Sequence, residues 1–283
     1  MPRVAVVTGA NKGIGYYIVK LLCQSKTQDI VYLTARDASR GQAAVEALRQ
    51  EGCEAAFHLL DIDSQASIDA LATYFKDKYG GVDVLVNNAA IAYKQASTAP
   101  FGEQAEVTNL TNYFGTLNAC NALVPLVRDG GRVVHVGSRG GHYAYKGMST
   151  GLQDQFDSPE LKVDELSGLI LSFIDAAKAK NHQKQGWPNS AYGVSKAGVT
   201  TLCRIQQRDY DRLHPGNDVI FSVCCPGYCA TDMSSHKGPR PAEEGADVAF
   251  YLATLPAKSP VARGSFWGER NLVPWSKDYS WTR

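Results

Sequence analysis

The sequence lacks the features of a membrane, secreted or nucleic-acid-binding protein. Charged residues make up 20% of the chain, and the formal net charge is only +1. Such balanced charge does not provide the basic surface typical of proteins that bind nucleic acid. The chain has no apolar run near the roughly 18 residues that a membrane span needs, and no secretory signal follows Met1. We therefore expect a cytoplasmic protein without a membrane or nucleic-acid partner.

Paired cysteines of the Cys-x-x-Cys type are also missing. The seven cysteines are odd in number, and their spacing suits neither zinc nor thioredoxin-like chemistry. Reduced thiols of an intracellular protein are the expected state, and no metal site is predicted. Hydrophobic residues make up 44% of the chain, enough for a core. Because no segment has the composition of a linker, we predict one domain over residues 1–283.

Short β-branched runs alternate with amphipathic segments along the chain. Strands are predicted over 3–8, 29–35, 54–60, 82–86, 131–136, 218–224 and 264–267. Helices are predicted over 16–24, 39–51, 64–79, 106–128 and 241–255. This alternation predicts an α/β fold of the Rossmann type, with a doubly wound parallel sheet of about seven strands and helices on both faces. Ligands of such sheets bind beyond the carboxyl ends of the strands.

A glycine-rich turn follows the first predicted strand. Gly9, Gly13 and Gly15 let backbone N–H groups approach a pyrophosphate, and the positive N-terminus of the next helix favours an anion there. A tight turn without a ligand is the alternative. The flanking strand and helix favour a dinucleotide site.

The residues after the second strand predict NADP(H) rather than NAD(H). Arg36 stands near the place where NAD-binding folds have a carboxylate for the ribose, and its guanidinium suits a 2′-phosphate. Arg40, one helical turn later, and Lys12 are further candidate cations. Asp37 would oppose the phosphate only if its carboxylate turned inward.

Tyr192 and Lys196 are four residues apart, so on a helix they lie on the same face. A fixed ammonium stabilises a phenolate, which is what a tyrosine needs to act as an acid near neutral pH. Tyr74 and Lys78 have the same spacing, but their charged segment is typical of a surface helix. The small residues around Tyr192 leave room for a ligand and favour that pair.

These motifs resemble the short-chain dehydrogenase/reductase family, and more closely its NADPH-dependent carbonyl reductases. The resemblance rests on residues 8–15, Leu33 to Gly41, Asp61, Asn87-Asn88-Ala89, Asn112, Ser138, Tyr192, Lys196, Pro226-Gly227 and Thr231. It implies a catalytic tetrad of Asn112, Ser138, Tyr192 and Lys196. The predicted cofactor-binding residues are Gly9, Asn11, Lys12, Gly13, Ile14, Gly15, Arg36, Arg40, Asp61, Ile62, Asn88, Tyr192, Lys196, Pro226, Gly227, Cys229 and Thr231.

The resemblance implies the reduction of aldehydes, ketones and quinones with NADPH. In this hypothesis Tyr192 is the general acid, and Ser138 binds the carbonyl oxygen of the substrate. Lys196 would lower the pKa of the phenol and hold the nicotinamide ribose, and Asn112 would position a water. Tyr228 is the predicted aromatic wall of the substrate site.

Residues 139–189 form an insertion between Ser138 and Tyr192, which the carbonyl reductase branch also carries. A helix is predicted to begin at Ser158-Pro159. In related enzymes such a segment covers the face used for dimerisation, which implies a monomer, whereas an ordinary surface excursion is the alternative. Arg139-Gly140-Gly141-His142 stands where that branch has bulkier apolar residues, and predicts a more open or more polar substrate cavity.

Two other functions stay open at this stage. Extended-family epimerases and dehydratases share the Tyr and Lys spacing, although their glycine motif is spaced differently. A non-catalytic NADP(H) sensor would be expected to lack a member of the tetrad, and none is missing. The sequence leaves open the physiological carbonyl substrate, a glutathione subsite near Ala92-Tyr93-Lys94, and regulation through Cys225 or Cys229.

Overall fold

The computed structural model describes residues 1–261 and 263–281. Its main strands are β1 (Val4–Val7), β2 (Ile30–Ala35), β3 (Ala56–Leu59), β4 (Val82–Asn87), β5 (Val127–Val136), β6 (Ile220–Cys225), β9 (Ser265–Gly268) and β10 (Asn271–Leu272). Two short strands, β7 (Cys229–Ala230) and β8 (Arg240–Pro241), pair with each other apart from this sheet.

The main sheet has the order β10-β9-β6-β5-β4-β1-β2-β3, and β10 alone runs antiparallel to its neighbour. This confirms the predicted Rossmann-type fold, with eight strands instead of about seven. The extra strand has only two residues and follows a turn in which Glu269 and Arg270 have φ of 51° and 60°. Such a turn usually contains glycine or asparagine, so Glu269 and Arg270 carry no local signal for it. The strand order reverses between β1 and β4, where ligands of open α/β sheets bind.

Ten α-helices are present in the described residues. They are α1 (Gly13–Ser25), α2 (Ala38–Gln50), α3 (Gln65–Tyr79), α4 (Phe101–Asn109), α5 (Thr116–Leu123), α6 (Arg139–Lys146), α7 (Thr150–Asp157), α8 (Val163–Lys178), α9 (Ala191–Leu213) and α10 (Ala242–Ala253). Alternate residues of β1 pack to opposite faces, Ala5 and Val7 toward α1, α2 and α10, and Val4 and Val6 toward α3. Helices therefore cover both faces of the sheet, as a parallel sheet requires.

The single helix predicted over 106–128 is wrong in its bounds and its continuity. The helical stretch begins at Phe101, changes to a π-helical turn over Leu110–Gly115, and resumes as α5. A short 3-10 turn that contains Pro125 then leads into β5, because proline cannot continue a helix. π-Helical turns occur often at functional sites, and this one contains Asn112.

The insertion forms α6, α7 and α8, and its apolar side chains pack with α4 and α9 in a third core cluster. The helix start predicted at Ser158 is wrong. The Ser158 hydroxyl accepts a hydrogen bond from the Glu160 amide within a turn. Helix α8 instead begins at Val163, where the Glu165 carboxylate accepts a hydrogen bond from the Lys162 amide at 2.8 Å. A glutamate at the third position of the helix, which accepts a hydrogen bond from the N-cap amide as in a capping box, therefore predicts the start of α8 better than Pro159 does.

Candidate functional site

The glycine turn has the backbone that its sequence predicts. Gly9 and Gly13 have φ of +61° and +60°, in the left-handed region that favours glycine. A Cβ on Gly9 would lie 2.8 Å from the Cα of Ala89, so a larger residue does not fit there. Lys12, at the N-cap of α1, makes no side-chain capping bond, and the first turn of α1 has no acidic residue. The N–H groups at this helix end are therefore available to an anion.

Asn88 and Thr8 lock this turn to the end of β4. The Asn88 side-chain amide donates to the Thr8 and Gly9 carbonyls at 2.9 and 3.1 Å. The Thr8 hydroxyl in turn accepts from the Asn88 and Ala89 amides at 3.0 and 2.9 Å. The two strand ends on either side of the switch point are thus held together as one rigid surface.

A cavity of 720 Å³ opens at these strand ends. Twelve of the predicted cofactor-binding residues line it, namely Gly9, Asn11, Lys12, Gly13, Ile14, Gly15, Arg36, Arg40, Asp61, Ile62, Asn88 and Thr231. Sequence reasoning missed other lining residues, among them Tyr17, Asp63, Ile91, Thr111 and His236. Asp63 and Ile91 follow β3 and β4, so the rule that ligands bind beyond the carboxyl ends of strands could have found them.

The cations at the mouth of this cavity differ in their partners. The Asp37 carboxylate caps α2 by accepting from the Arg40 amide at 2.8 Å, and this hydrogen bond lowers the pKa of Asp37. The Arg40 guanidinium also lies 3.4 Å from that carboxylate. Arg36 is exposed and, in the part of the chain that the structure describes, has no carboxylate within ion-pair distance. Asp37 thus caps α2, and Arg36 is the cation that remains available to a ligand.

A second set of contacts crosses the cavity from the glycine turn to the loop after β7. Lys12 Nζ lies 2.6 Å from Asp232 Oδ2. The Lys94 ammonium, from the loop after β4, donates to the backbone carbonyl of Asp232. Asp232 therefore holds two lysines that face the cavity, and its pKa is lowered mainly by the hydrogen bond from Lys12.

Ser138 and Tyr192 converge beside the carboxyl end of β5. The Ser138 hydroxyl caps α6 by accepting from the Gly140 amide at 3.0 Å. A Cβ on Gly140 would lie 3.3 Å from Ser138 Oγ and 3.5 Å from the Tyr192 ring, so the two side chains flank one glycine. Tyr192 is the second residue of α9, which begins after the Ser190 cap. Two helix N-termini therefore present the hydroxyl and the phenol to the same space.

Lys196 does not contact the Tyr192 hydroxyl in the way that its spacing predicts. Its ammonium donates to the Val136 carbonyl at 2.7 Å and lies 5.8 Å from the centre of the Tyr192 ring. Burial lowers the pKa of Lys196 to about 8. Burial also raises the pKa of Tyr192 to about 12, against a smaller lowering by the Ser138 hydrogen bond. In this arrangement the phenol keeps its proton firmly, and desolvation outweighs the expected effect of Lys196.

Asn112 connects the cavity to helix α9. Its side chain accepts from the Ile91 amide at 2.8 Å and donates to the Ile91 carbonyl at 2.9 Å. It also donates to the Ser195 hydroxyl at 3.0 Å, and that hydroxyl donates to the Tyr192 carbonyl at 2.8 Å. The π-helical turn thus places the Asn112 side chain where it bonds both Ile91, which lines the cavity, and Ser195 near the start of α9.

The alternative pair, Tyr74 and Lys78, has the contact that Tyr192 lacks. Lys78 Nζ donates to the Tyr74 hydroxyl at 2.7 Å, and the Tyr32 and Tyr74 hydroxyls are 2.7 Å apart. These two hydrogen bonds lower the pKa of Tyr74 against its partial burial. The pair lies on α3 and does not line the 720 Å³ cavity. The same tyrosine–lysine spacing therefore gives the contact in one pair and not in the other, and the spacing alone does not identify a site.

The loop after β6 contains the other predicted residues. Gly227 has φ of +82°, and the buried Cys229 thiol donates to the Pro226 carbonyl at 3.2 Å. The Cys225 sulfur accepts from the Arg139 amide at 3.2 Å, which brings this loop to the start of α6. Tyr228 has 49% of its surface exposed and does not line the 720 Å³ cavity. Its role as an aromatic wall stays a prediction.

His142, the last residue of the segment Arg139-Gly140-Gly141-His142, is a buried packing residue. His142 is fully buried, and its Nε2 lies 2.7 Å from the Ser276 carbonyl. A Cβ on Gly141 would lie 2.7 Å from the Lys196 carbonyl carbon, so glycine lets α6 approach α9 closely. Packing against two neighbouring elements therefore accounts for Gly141 and His142, and the more open or more polar substrate cavity stays a prediction.

In residues 1–261 and 263–281 no group of three or more His, Cys, Asp or Glu side chains is arranged to hold a metal ion. Over the same residues no helix has both the length and the apolar character to cross a bilayer.

Comparison with known proteins gives concordant results. Residues 3–150 match the family model described as short chain dehydrogenase. The chain is 48% identical to human carbonyl reductase (NADPH) 1 and 47% identical to the bovine protein, covering 96% of this chain and 98% of each relative. Salutaridine reductase from Papaver somniferum has a similar structure, with a TM-score of 0.83, 29% identity, and coverage of 94% of this chain and 99% of that one. The chain therefore belongs to the short-chain dehydrogenase family.

Proposed function

We propose that this protein reduces carbonyl compounds, among them aldehydes, ketones and quinones, with NADPH. The observation that carries the proposal is the convergence of Ser138 and Tyr192 beside the carboxyl end of β5, next to a cavity lined by the glycine turn. Near-full-length similarity to carbonyl reductases supports the same reaction. We also propose that the chain forms one domain and acts in the cytoplasm, without a nucleic-acid partner.

The 720 Å³ cavity fits a dinucleotide. The uncapped N-terminus of α1 would hold the pyrophosphate, and Arg36 with Arg40 would hold the 2′-phosphate. Asp61 and Ile62, which also line the cavity, would face the adenine. When bound, NADPH supplies the hydride that reduces the carbonyl carbon.

The chain's own residues then handle the oxygen and its proton. Ser138 would donate a hydrogen bond to the carbonyl oxygen and fix the substrate beside Tyr192. Tyr192 would deliver its proton to the same oxygen as general acid. The pKa of the phenol, raised by burial to about 12, keeps it protonated at neutral pH, as an acid must be before the reaction. Lys196, whose pKa burial lowers to about 8, and a water positioned by Asn112 would then return a proton to the phenolate from bulk solvent.

The direct test is a spectrophotometric assay. Purified protein with NADPH should oxidise the cofactor when menadione or isatin is added, and should do so much more slowly with NADH. An epimerase or dehydratase would leave the NADPH absorbance unchanged with these carbonyls. A non-catalytic sensor would bind NADPH, visible as a fluorescence change, without turnover. Either of these results would reject the proposed reaction.

Gly9→Ala should weaken NADPH binding at least tenfold. The left-handed backbone disfavours any side chain, and the new Cβ would collide with Ala89 beside the pyrophosphate site. Gly52→Ala is the matched control, because Gly52 has φ of +77° but nothing within 4 Å of its Cβ position. Fluorescence titration with NADPH should separate the two variants. Equal affinities for both would show that the close approach at Gly9 has no role in cofactor binding.

We further propose that the protein is a monomer. Helix α8 packs against α4 and α9 through fully buried side chains such as Ile170 and Phe173. Gly198 on α9 has Ile170 Cδ1 only 3.0 Å from its Cβ position, so the contact is tight. The insertion thus occupies a helix face that would otherwise be open to a second copy. Sedimentation equilibrium should give a mass of about 30.7 kDa. A dimer mass would reject this role of the insertion.

A further inference from the structure

Residues 275–281, called here the aromatic segment, pack onto α6 next to the proposed catalytic residues. Trp275 lies 5.1 Å and Tyr279 5.9 Å from the His142 ring, measured between ring centres. Trp281 packs edge-on against Phe266 of β9 at 5.8 Å. The segment therefore fills the space between the last parallel strand and the helix that Ser138 caps.

Three residues of α6 attach the aromatic segment, and all lie on one helix face. Arg139 places its guanidinium 5.7 Å from the centre of the Trp281 ring. His142 Nδ1 accepts from Trp281 Nε1 at 3.0 Å, and Lys146 donates to the Tyr279 carbonyl at 3.0 Å. Their spacing of three and four residues is that of neighbours along a helix. The segment is thus anchored along the full length of α6.

The histidine in this set can make its bonds in only one protonation state. An indole N–H can only donate, and a carbonyl can only accept. Nδ1 must therefore carry a lone pair toward Trp281, and Nε2 must carry the proton toward the Ser276 carbonyl. These two bonds assign a neutral imidazole with its hydrogen on Nε2. A second proton on Nδ1 would face the indole N–H and break that bond.

The opposite side of α6 contacts α9, the helix that carries Tyr192 and Lys196. Gly141 packs against the backbone of Lys196, and Gly140 separates Ser138 from the Tyr192 ring. Any displacement of α6 would therefore move the Ser138 hydroxyl relative to the Tyr192 phenol. A proton transfer of this kind is sensitive to shifts of about 1 Å.

We propose that the aromatic segment is a positioning element of the active site, in which the Trp281–His142 hydrogen bond sets α6, and with it Ser138, at the distance from Tyr192 that carbonyl reduction needs. Trp281 and His142 are positioning residues, since neither touches the reacting atoms. This inference rests on the proposed carbonyl reduction and adds a segment to which the mechanism above assigns no role.

The protonation state of His142 makes this element sensitive to acid. Lys146 and, across Trp281, Arg139 are the charged groups near the ring on α6. The rings that flank it are those of Tyr145, Trp275, Tyr279 and Trp281. Among the described contacts of the ring no carboxylate balances an added proton. Burial, and then Lys146, lower the pKa of His142 below its usual range. The contact is therefore intact at neutral pH and is lost as the pH falls through the lowered pKa.

The test compares two Trp→Phe variants of the same segment. Trp281→Phe removes the hydrogen bond to His142 and keeps an aromatic ring. Trp275→Phe is the matched control, because Trp275 Nε1 is buried without a hydrogen-bond partner in the described residues. With menadione, Trp281→Phe should lower kcat about three- to tenfold, the scale of one lost hydrogen bond. Trp275→Phe should keep kcat near wild type, and both variants should bind NADPH with wild-type affinity, because no residue of the segment lines the 720 Å³ cavity.

The pH profile separates positioning from a general loss of stability. Wild type and Trp275→Phe should lose kcat together at acid pH, whereas Trp281→Phe should lack this acid step. His142→Phe, a neutral aromatic substitution, should also remove the step. If His142→Phe does not fold, Trp281→Phe still tests the inference. Equal kcat values and equal acid limbs in the two Trp→Phe variants would overturn the inference. Wild type without NADPH-dependent reduction would instead reject the proposed function.

Discussion

Tyr192→Phe should lower the rate of carbonyl reduction by a factor of about 10²–10⁴, which is the usual contribution of a positioned general acid. The substitution removes the only proton that the side chain can donate and leaves the ring in place. The phenol is held protonated by burial, with the Ser138 hydroxyl beside it. Stopped-flow or steady-state measurement of NADPH oxidation with isatin gives the rate. Fluorescence titration should show NADPH affinity near wild type, because Tyr192 does not line the 720 Å³ cavity.

Tyr74→Phe is the matched control for this experiment. It removes the hydroxyl of another tyrosine with a lysine four residues later, which lies on α3 outside the cavity. We expect wild-type turnover for Tyr74→Phe and loss of the Tyr74–Lys78 hydrogen bond. If Tyr192→Phe turned over carbonyls as fast as Tyr74→Phe does, Tyr192 would not be the acid.

The comparison of these two pairs shows what the sequence could predict and what it could not. Spacing placed both lysines on the same helix face as their tyrosines. It could not show that Lys196 would turn to the Val136 carbonyl, because that acceptor comes from β5, far away in the sequence. Nor could it show that burial would raise the pKa of Tyr192, since burial depends on the packing of α6 against α9. Local pattern selected the candidate residues, and tertiary contacts set their hydrogen bonds and pKa values.

The same division holds for the fold. The positions of the strands along the chain follow from buried β-branched runs such as β1 and β6, and these were predicted within a few residues. The π-helical turn around Asn112 was not predicted, because its sequence reads as a continuous helix. The role of His142 was also missed, since its partners Ser276 and Trp281 lie more than a hundred residues later in the chain. Features that depend on distant partners leave no local signal.

Arg36→Glu should reverse the cofactor preference. A charged hydrogen bond to the 2′-phosphate is worth about 1.5–3 kcal/mol, and a carboxylate in its place would also repel the phosphate. We therefore expect kcat/KM for NADPH to fall about a hundredfold. The value for NADH should hold or rise, because a carboxylate at this position can accept a hydrogen bond from a free 2′-hydroxyl.

The other cations cannot replace Arg36 without cost. Arg40 lies 3.4 Å from the Asp37 carboxylate, and Lys12 lies 2.6 Å from that of Asp232, so each would have to leave an ion pair to reach a phosphate. Arg49→Glu is the matched control, since this substitution makes the same charge change at the far end of α2, outside the cavity. It should leave the ratio of kcat/KM values for NADPH and NADH unchanged. If Arg36→Glu also left that ratio unchanged, the 2′-phosphate would have to be held by Lys12 or Arg40, and the ion pair of that residue, with Asp232 or with Asp37, would have to open whenever NADPH binds.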